Sequence, residues 1–182
     1  MDMGNAYQLF KSLRPKQWIK NAFILIPLIF AEKVFDYSSL FRSLLAATIF
    51  CLVASAVYLI NDVIDLDTDR SHPVKKYRPI AAGLISPMSA VVAATLLLMI
   101  SLLCGFILGV DFIIVVIIYL GVQAAYNAVL KEKVILDIFC VSSGFFLRVV
   151  AGAVAINVVI SQWLIICTIS ISMFLSLAKR RN

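Results

Sequence analysis

Four carboxylates fall within eight residues in the stretch Asn61-Asp62-Val63-Ile64-Asp65-Leu66-Asp67-Thr68-Asp69-Arg70, directly after an apolar run. On a continuous helix, Asp62, Asp65 and Asp69 are spaced by three and four and share one face, which Asn61 joins through Asp65 while Asp67 points elsewhere. Like charges stacked at that spacing repel, so the face costs stability unless a cation compensates. Magnesium, which takes carboxylates together with substrate phosphates and retained waters, suits such a face. A solvated acidic helix end is the plain alternative, but the macrodipole disfavours acids at a helix C-terminus.

The residues that follow carry the opposite charge. Arg70, His72, Lys75, Lys76 and Arg78 come within ten residues of the carboxylates. Acids that hold a metal beside bases that hold phosphate oxygens meet the needs of a diphosphate leaving group. His72 precedes a proline and is read as a turn former. Three further groups are candidates. Asp137 and Arg148 lie in one apolar run, eleven residues apart, and charges inside a spanning segment usually face a cavity or each other. Tyr126, Asn127 and Lys131 sit at the end of another run, with Lys131 as a phosphate contact. Lys16, Trp18 and Lys20 follow Arg14-Pro15 near the start of the chain, where membrane anchoring is the alternative to phosphate binding.

These residues must be positioned by membrane helices. Of the 182 residues, 63% are hydrophobic and 14% charged, whereas soluble domains are about half apolar and a quarter charged. Six spans are predicted, over residues 18–35, 44–60, 88–108, 112–130, 134–154 and 158–177, the first short and interrupted by Pro27. With a cytoplasmic N-terminus, the cytoplasmic segments collect Lys11, Arg14, Lys16, Lys20, Arg70, Lys75, Lys76, Arg78, Lys131, Lys133, Lys179, Arg180 and Arg181. The other side receives Lys33 and Arg42, so the positive-inside rule places both termini in the cytoplasm of a multi-pass cell-membrane protein. The four cysteines are scattered singly and read as buried, inert thiols rather than a disulfide framework. The N-terminus lacks signal-peptide shape. The net charge of +6 fits this topology and anionic headgroups or phosphates; nucleic acid is not expected as a partner.

Asn61-Asp62-x-x-Asp65-x-x-x-Asp69, the basic run to Arg78-Pro79 and Gly83, and Tyr126 with Lys131 resemble the motifs of the UbiA superfamily of intramembrane prenyltransferases. Arg14-Pro15-x-Gln17-Trp18-x-Lys20-Asn21, Asp69-Arg70-x-His72-Pro73 and the Asp137 to Arg148 segment resemble its decaprenyl-phosphate phosphoribosyltransferase branch. The superfamily's second motif has two aspartates four apart; here Asp137 is followed at that spacing by Val141, a departure that agrees with the phosphoribosyl branch. The resemblance implies an all-α, multi-pass bundle forming one domain over residues 1–182, ended after six spans where the superfamily usually has more.

It also implies transfer of 5-phosphoribose from phosphoribosyl diphosphate to a polyprenyl phosphate, toward a cell-wall precursor. Asp62, Asp65, Asp69 and Asp137 are the expected catalytic acids, the first three holding Mg2+. Lys16, Lys20, Asn61, Arg70, Lys75, Arg78, Tyr126, Lys131 and Arg148 are the expected phosphate contacts. The expected partners are an isoprenoid lipid phosphate, a phosphorylated sugar diphosphate and the bilayer, with homo-oligomer formation left open. Two alternatives stand beside this: prenyl transfer from a prenyl diphosphate to an aromatic or other small acceptor, and an inactive truncated paralogue.

Overall fold

A computed structural model of the protein describes residues 3–128 and 134–181, and every structural element among them is helical. In chain order they are α1 (Met3–Ser12), a 3-10 helix (Pro15–Leu25), α2 (Ile26–Phe30), α3 (Tyr37–Ile64), α4 (Leu66–Ser71), a 3-10 turn (Lys75–Tyr77), α5 (Pro87–Gly105), α6 (Val110–Ala128), α7 (Val134–Ala155) and α8 (Gln162–Arg181). Lys131 and the side chain of Asp137 lie outside the described residues.

Among the described residues, four helices are long and apolar enough to cross a membrane: Tyr37–Ile64, Pro87–Gly105, Val110–Asn127 and Ile138–Ala155. The other two expected spans are not among these four. The first is broken into the 3-10 helix and α2, because Pro27 sits in its middle with no amide proton to donate. The last falls on α8, whose described apolar stretch is Gln162–Phe174. On α5, Met88, Val92, Leu96, Met99 and Leu103 are exposed, an apolar surface suited to lipid and unsuited to water. The protein is a multi-pass, all-α membrane protein.

The start of α3 lies earlier than the hydropathy pattern predicts, and the reason is a cap. Asp36 accepts hydrogen bonds from the Ser38 and Ser39 amides (3.3 and 3.1 Å) and the Ser39 hydroxyl (2.6 Å). An acid there satisfies orphan amides and faces the positive end of the helix dipole.

The chain divides into two compact units. One comprises Met1–Ile19 and Cys51–Leu103. Its core is Ala56, Leu59, Ile80, Ile85, Ala90 and Ala94, with Leu9 and Leu13 packed against it. The alanines let helix backbones approach closely. Trp18 Nε1 donates to Ser55 Oγ (3.0 Å), whose hydroxyl reaches the Leu13 carbonyl (3.0 Å) and ties the N-terminal segment to α3. Ser86 caps α5 by accepting from the Ser89 amide (3.1 Å), with Pro87 as its first helical residue.

The other unit comprises Lys20–Phe50 and Cys104–Asn182, where α7 packs against α2, α6 and α8. Phe50 meets Phe112 and Tyr119, and Phe23 meets Phe145 at 4.8 Å. Gly152 on α7 is required, since a Cβ there would collide with the Ile24 carbonyl. Arg42 donates to the carbonyls of Ala155 (2.5 Å) and Leu108 (2.9 Å), satisfying backbone acceptors at a helix C-terminus and a turn. Cys51, Cys104 and Cys140 are half-buried. Cys167 is exposed, contrary to expectation, because it faces outward on α8.

Candidate active site

The aspartate face forms at the end of α3 within the first unit. α3 stops at Ile64 and α4 begins at Leu66, with Asp65 at the break (φ −87°, ψ 11°). The i→i−4 ladder nevertheless continues: the Asp65 amide donates to Asn61 O (2.9 Å) and the Asp69 amide to Asp65 O (2.8 Å). The spacing argument therefore holds across the break, and Asp62 and Asp69 both turn inward. Their side chains are 3% and 1% exposed. Asp65 is half-buried and Asp67 is exposed.

Two arginines and a lysine neutralise the buried pair. Arg78 Nη1 lies 3.1 Å from Asp62 Oδ1 and 2.5 Å from Asp69 Oδ2, so one guanidinium bridges both acids. Arg14 Nη2 lies 2.5 Å from the same Asp62 oxygen, and Lys75 Nζ is 3.8 Å from Asp69 Oδ1. Two buried negative charges thus face three cations. Asp69 Oδ1, with Lys75 beyond hydrogen-bond distance, is buried and has no hydrogen-bond partner. Among the described residues, no three acidic, histidine or cysteine side chains are grouped to hold a metal ion; in this arrangement the arginines occupy the carboxylates instead.

The loop that carries Arg78 is shaped locally. His72 Nδ1 accepts from the Val74 and Lys75 amides (3.1 and 3.3 Å), which bears out its reading as a turn former. The Ala82 amide donates to Arg78 O (2.8 Å) and the Leu84 amide to Pro79 O (2.9 Å), with Gly83 at φ +75° between them. Ile80 is anchored in the core beside Arg78. Arg70 turns outward, its Nε 3.5 Å from the Ala81 carbonyl and its Nη1 3.8 Å from exposed Asp67. Lys16 is exposed and Asn61 half-buried.

The sequence marks Arg14 as part of the N-terminal motif, not as a site residue. It sits between α1 and the 3-10 helix in the left-handed region, φ +54°, a conformation that costs a non-glycine residue about 1 kcal/mol or more. Its guanidinium stacks over Tyr58, 4.8 Å from the ring centroid. Tyr58 lies one turn before Asp62 on α3, a spacing that could have marked it.

Lys20, Tyr126, Asp137 and Arg148 belong to the other unit. There Arg148 is buried and donates from Nε to Asn21 Oδ1 (2.8 Å), from Nη1 to the Gly144 carbonyl (2.7 Å) and from Nη2 to the Tyr119 hydroxyl (3.0 Å). Its guanidinium also lies 5.0 Å from the Tyr119 ring centroid. The expected ion-pair partner is absent among the described residues; neutral oxygens and an aromatic face take its place. Tyr119 was missed by sequence reading, because nothing in an apolar run distinguishes a tyrosine that serves a buried arginine.

Residues 22–180 match the model of the UbiA prenyltransferase family. The chain is 40% identical over 176 residues to a decaprenyl-phosphate phosphoribosyltransferase of Mycolicibacterium smegmatis, covering 94% of this chain and 55% of that protein. It is 39% identical over 176 residues to the protein of the same name from Corynebacterium glutamicum, covering 94% and 53%. With that of Mycobacterium tuberculosis it shares 37% over 174 residues, 93% of this chain and 58% of the relative. The chain therefore spans about half the length of the curated relatives it matches.

Proposed function

We propose, on the premise that the chain belongs to the UbiA prenyltransferase family, that it acts as a membrane transferase on a polyprenyl phosphate, with phosphoribosyl diphosphate as donor. The observation that carries this reading is the ion network in which Asp62 and Asp69, both buried, meet Arg14, Arg78 and Lys75. Buried acids and bases at one helix end are costly for stability alone, and they match a diphosphate that needs cations on its oxygens. The names of the relatives supply the substrate class.

The donor set fits magnesium in type. Asp62, Asp65 and Asp69 offer hard carboxylate oxygens, and Asp69 Oδ1 is buried without a hydrogen-bond partner. This reading assigns the ion to these three residues, which are not grouped around one point in the arrangement described, and the ion would neutralise charge on the diphosphate. The chain's own cations do the rest. Arg78 and Lys75 donate to diphosphate oxygens as the anomeric carbon–oxygen bond breaks, stabilising charge where it develops. An oxygen of the lipid phosphate forms the new bond to that carbon, and diphosphate departs. Lys16, Asn61 and Arg70 are the further phosphate contacts of this reading in the same unit, while Lys20, Tyr126, Lys131, Arg148 and the acid Asp137, expected from the sequence, belong to the other unit. The distribution of lysine and arginine supports a cytoplasmic site and cytoplasmic termini in the cell membrane.

Membranes containing the protein, magnesium, a polyprenyl phosphate and labelled phosphoribosyl diphosphate test the reading. Label is expected in the lipid phase, dependent on magnesium. Transfer from a labelled prenyl diphosphate to a small aromatic acceptor instead would replace it with prenyl transfer, and no transfer from either donor would make the chain an inactive paralogue.

A further inference from the structure

We infer that an apolar cleft between α1 and the start of α5 receives the isoprenoid tail of the lipid phosphate, with the phosphate end toward Arg14 and Arg78. The inference rests on the reading above, in which a polyprenyl phosphate reacts at the end of α3, and it adds where the tail lies. The cleft belongs wholly to the first unit and has a volume of about 550 Å3, inside the span of ligand pockets, about 300–1,000 Å3. Leu9 lines it from α1, Leu84 and Ile85 from the loop before α5, and Met88, Val92 and Leu96 from α5 itself. Ser86 and Ser89 line it too, but their hydroxyls bond each other at 2.8 Å. The cleft therefore asks no polar group of its occupant.

Three observations select this occupant. Met88, Val92 and Leu96 are 73, 51 and 53% exposed and belong to the apolar surface of α5 that suits lipid, so the cleft opens sideways to the bilayer. Both of its sides are tied through the backbone to neighbours of the two arginines that meet Asp62. The Leu13 amide donates to Leu9 O (3.2 Å), and Leu13 precedes Arg14; the Leu84 and Ile85 amides donate to Pro79 O (2.9 and 3.2 Å), and Pro79 follows Arg78. Finally, the tail of a polyprenyl phosphate starts at the phosphate oxygen, so a phosphate held at this end leads its tail directly into the cleft. A diacyl lipid interposes a glycerol. Bilayer tails are as apolar as the cleft, so transfer out of the bilayer supplies little drive. The phosphate must supply the preference, and the tail follows it.

The test is photolabelling of the full chain in phosphatidylcholine nanodiscs with a polyprenyl phosphate that carries a diazirine in its tail, the labelled residues being mapped by mass spectrometry. Label is expected on Leu9 and between Leu84 and Leu96. Unlabelled polyprenyl phosphate should displace it, whereas polyprenol or dioleoyl phosphatidate at the same concentration should leave most of it in place. Val92→Trp, which fills the cleft from an exposed position, should lower labelling about tenfold, the effect of overfilling a packed contact. Leu96→Trp serves if that variant does not accumulate. Equal displacement by phosphatidate would make the cleft a seat for ordinary lipid and overturn the inference. Label confined to the second unit, or undiminished in both tryptophan variants, would overturn it as well, even if transfer from phosphoribosyl diphosphate persists. Specific labelling of the cleft without such transfer would sustain the tail site and refute the donor reading instead.

Discussion

Replacing Arg78 by methionine is the most informative single perturbation of the aspartate end of α3. Among the described residues its guanidinium alone touches both buried acids, 3.1 Å from Asp62 and 2.5 Å from Asp69. After removal, Asp62 retains Arg14, but Asp69 keeps only Lys75 at 3.8 Å and already has one unsatisfied oxygen. Breaking a buried ion pair from one side costs about 3–5 kcal/mol. Arg78 itself is 28% exposed, so water reaches part of the gap and about 3 kcal/mol is the expected cost. The double variant Arg78→Met with Asp69→Asn removes the stranded charge and should recover about 1–2 kcal/mol as a coupling term. Equilibrium unfolding in mixed micelles, read by Trp18 fluorescence in a Trp163→Phe background, measures all three variants on the unit concerned. Strict additivity of the two substitutions, or a cost for Arg78→Met below about 1 kcal/mol, would falsify the view that the bridge holds this end of the helix.

Asp65→Asn, at the half-buried break between α3 and α4, should lower transfer by about a hundredfold, as loss of one charge-stabilising group does, with little change in unfolding midpoint; unchanged transfer in the membrane assay would remove Asp65 from the site. Gly152→Ala should destabilise the second unit by about 1–3 kcal/mol, because the added methyl meets the Ile24 carbonyl and α7 must shift; equal midpoints in micelle unfolding would refute this. Asp36 has its carboxyl held below the ordinary 3.8, chiefly by the Ser39 hydroxyl, so its capping contribution is present above that value and lost as pH falls through the lowered one. Asp36→Asn should flatten the acid limb of a stability–pH curve, and an unchanged limb would assign the acid sensitivity elsewhere.

Much of this protein is legible in one dimension because a bilayer imposes simple rules. Continuous apolar runs locate the four long spans, since lipid leaves a helix no other way to satisfy its backbone. Spacing alone places Asp62, Asp65 and Asp69 along one helical path, and the ladder through Asp65 preserves that path across the break. His72 before Pro73, and Ser86 before Pro87, are local devices whose partners lie within three residues, so the sequence determined them too.

The tertiary structure decided which charges meet. Arg14 and Asp62 are 48 residues apart, and no periodicity links them; the pairing exists because Leu9, Leu13 and Trp18 dock the N-terminal segment on α3. Arg70 and Arg78 look equivalent in the basic run, yet one points outward to Ala81 and Asp67 while the other is drawn in beside Ile80. Arg148, buried on α7, is met by Asn21 and Tyr119, 127 and 29 residues away. Charge is written in the sequence. The partner of a buried charge is chosen by which distant elements pack together, because only packing removes the water that would otherwise make every partner equivalent.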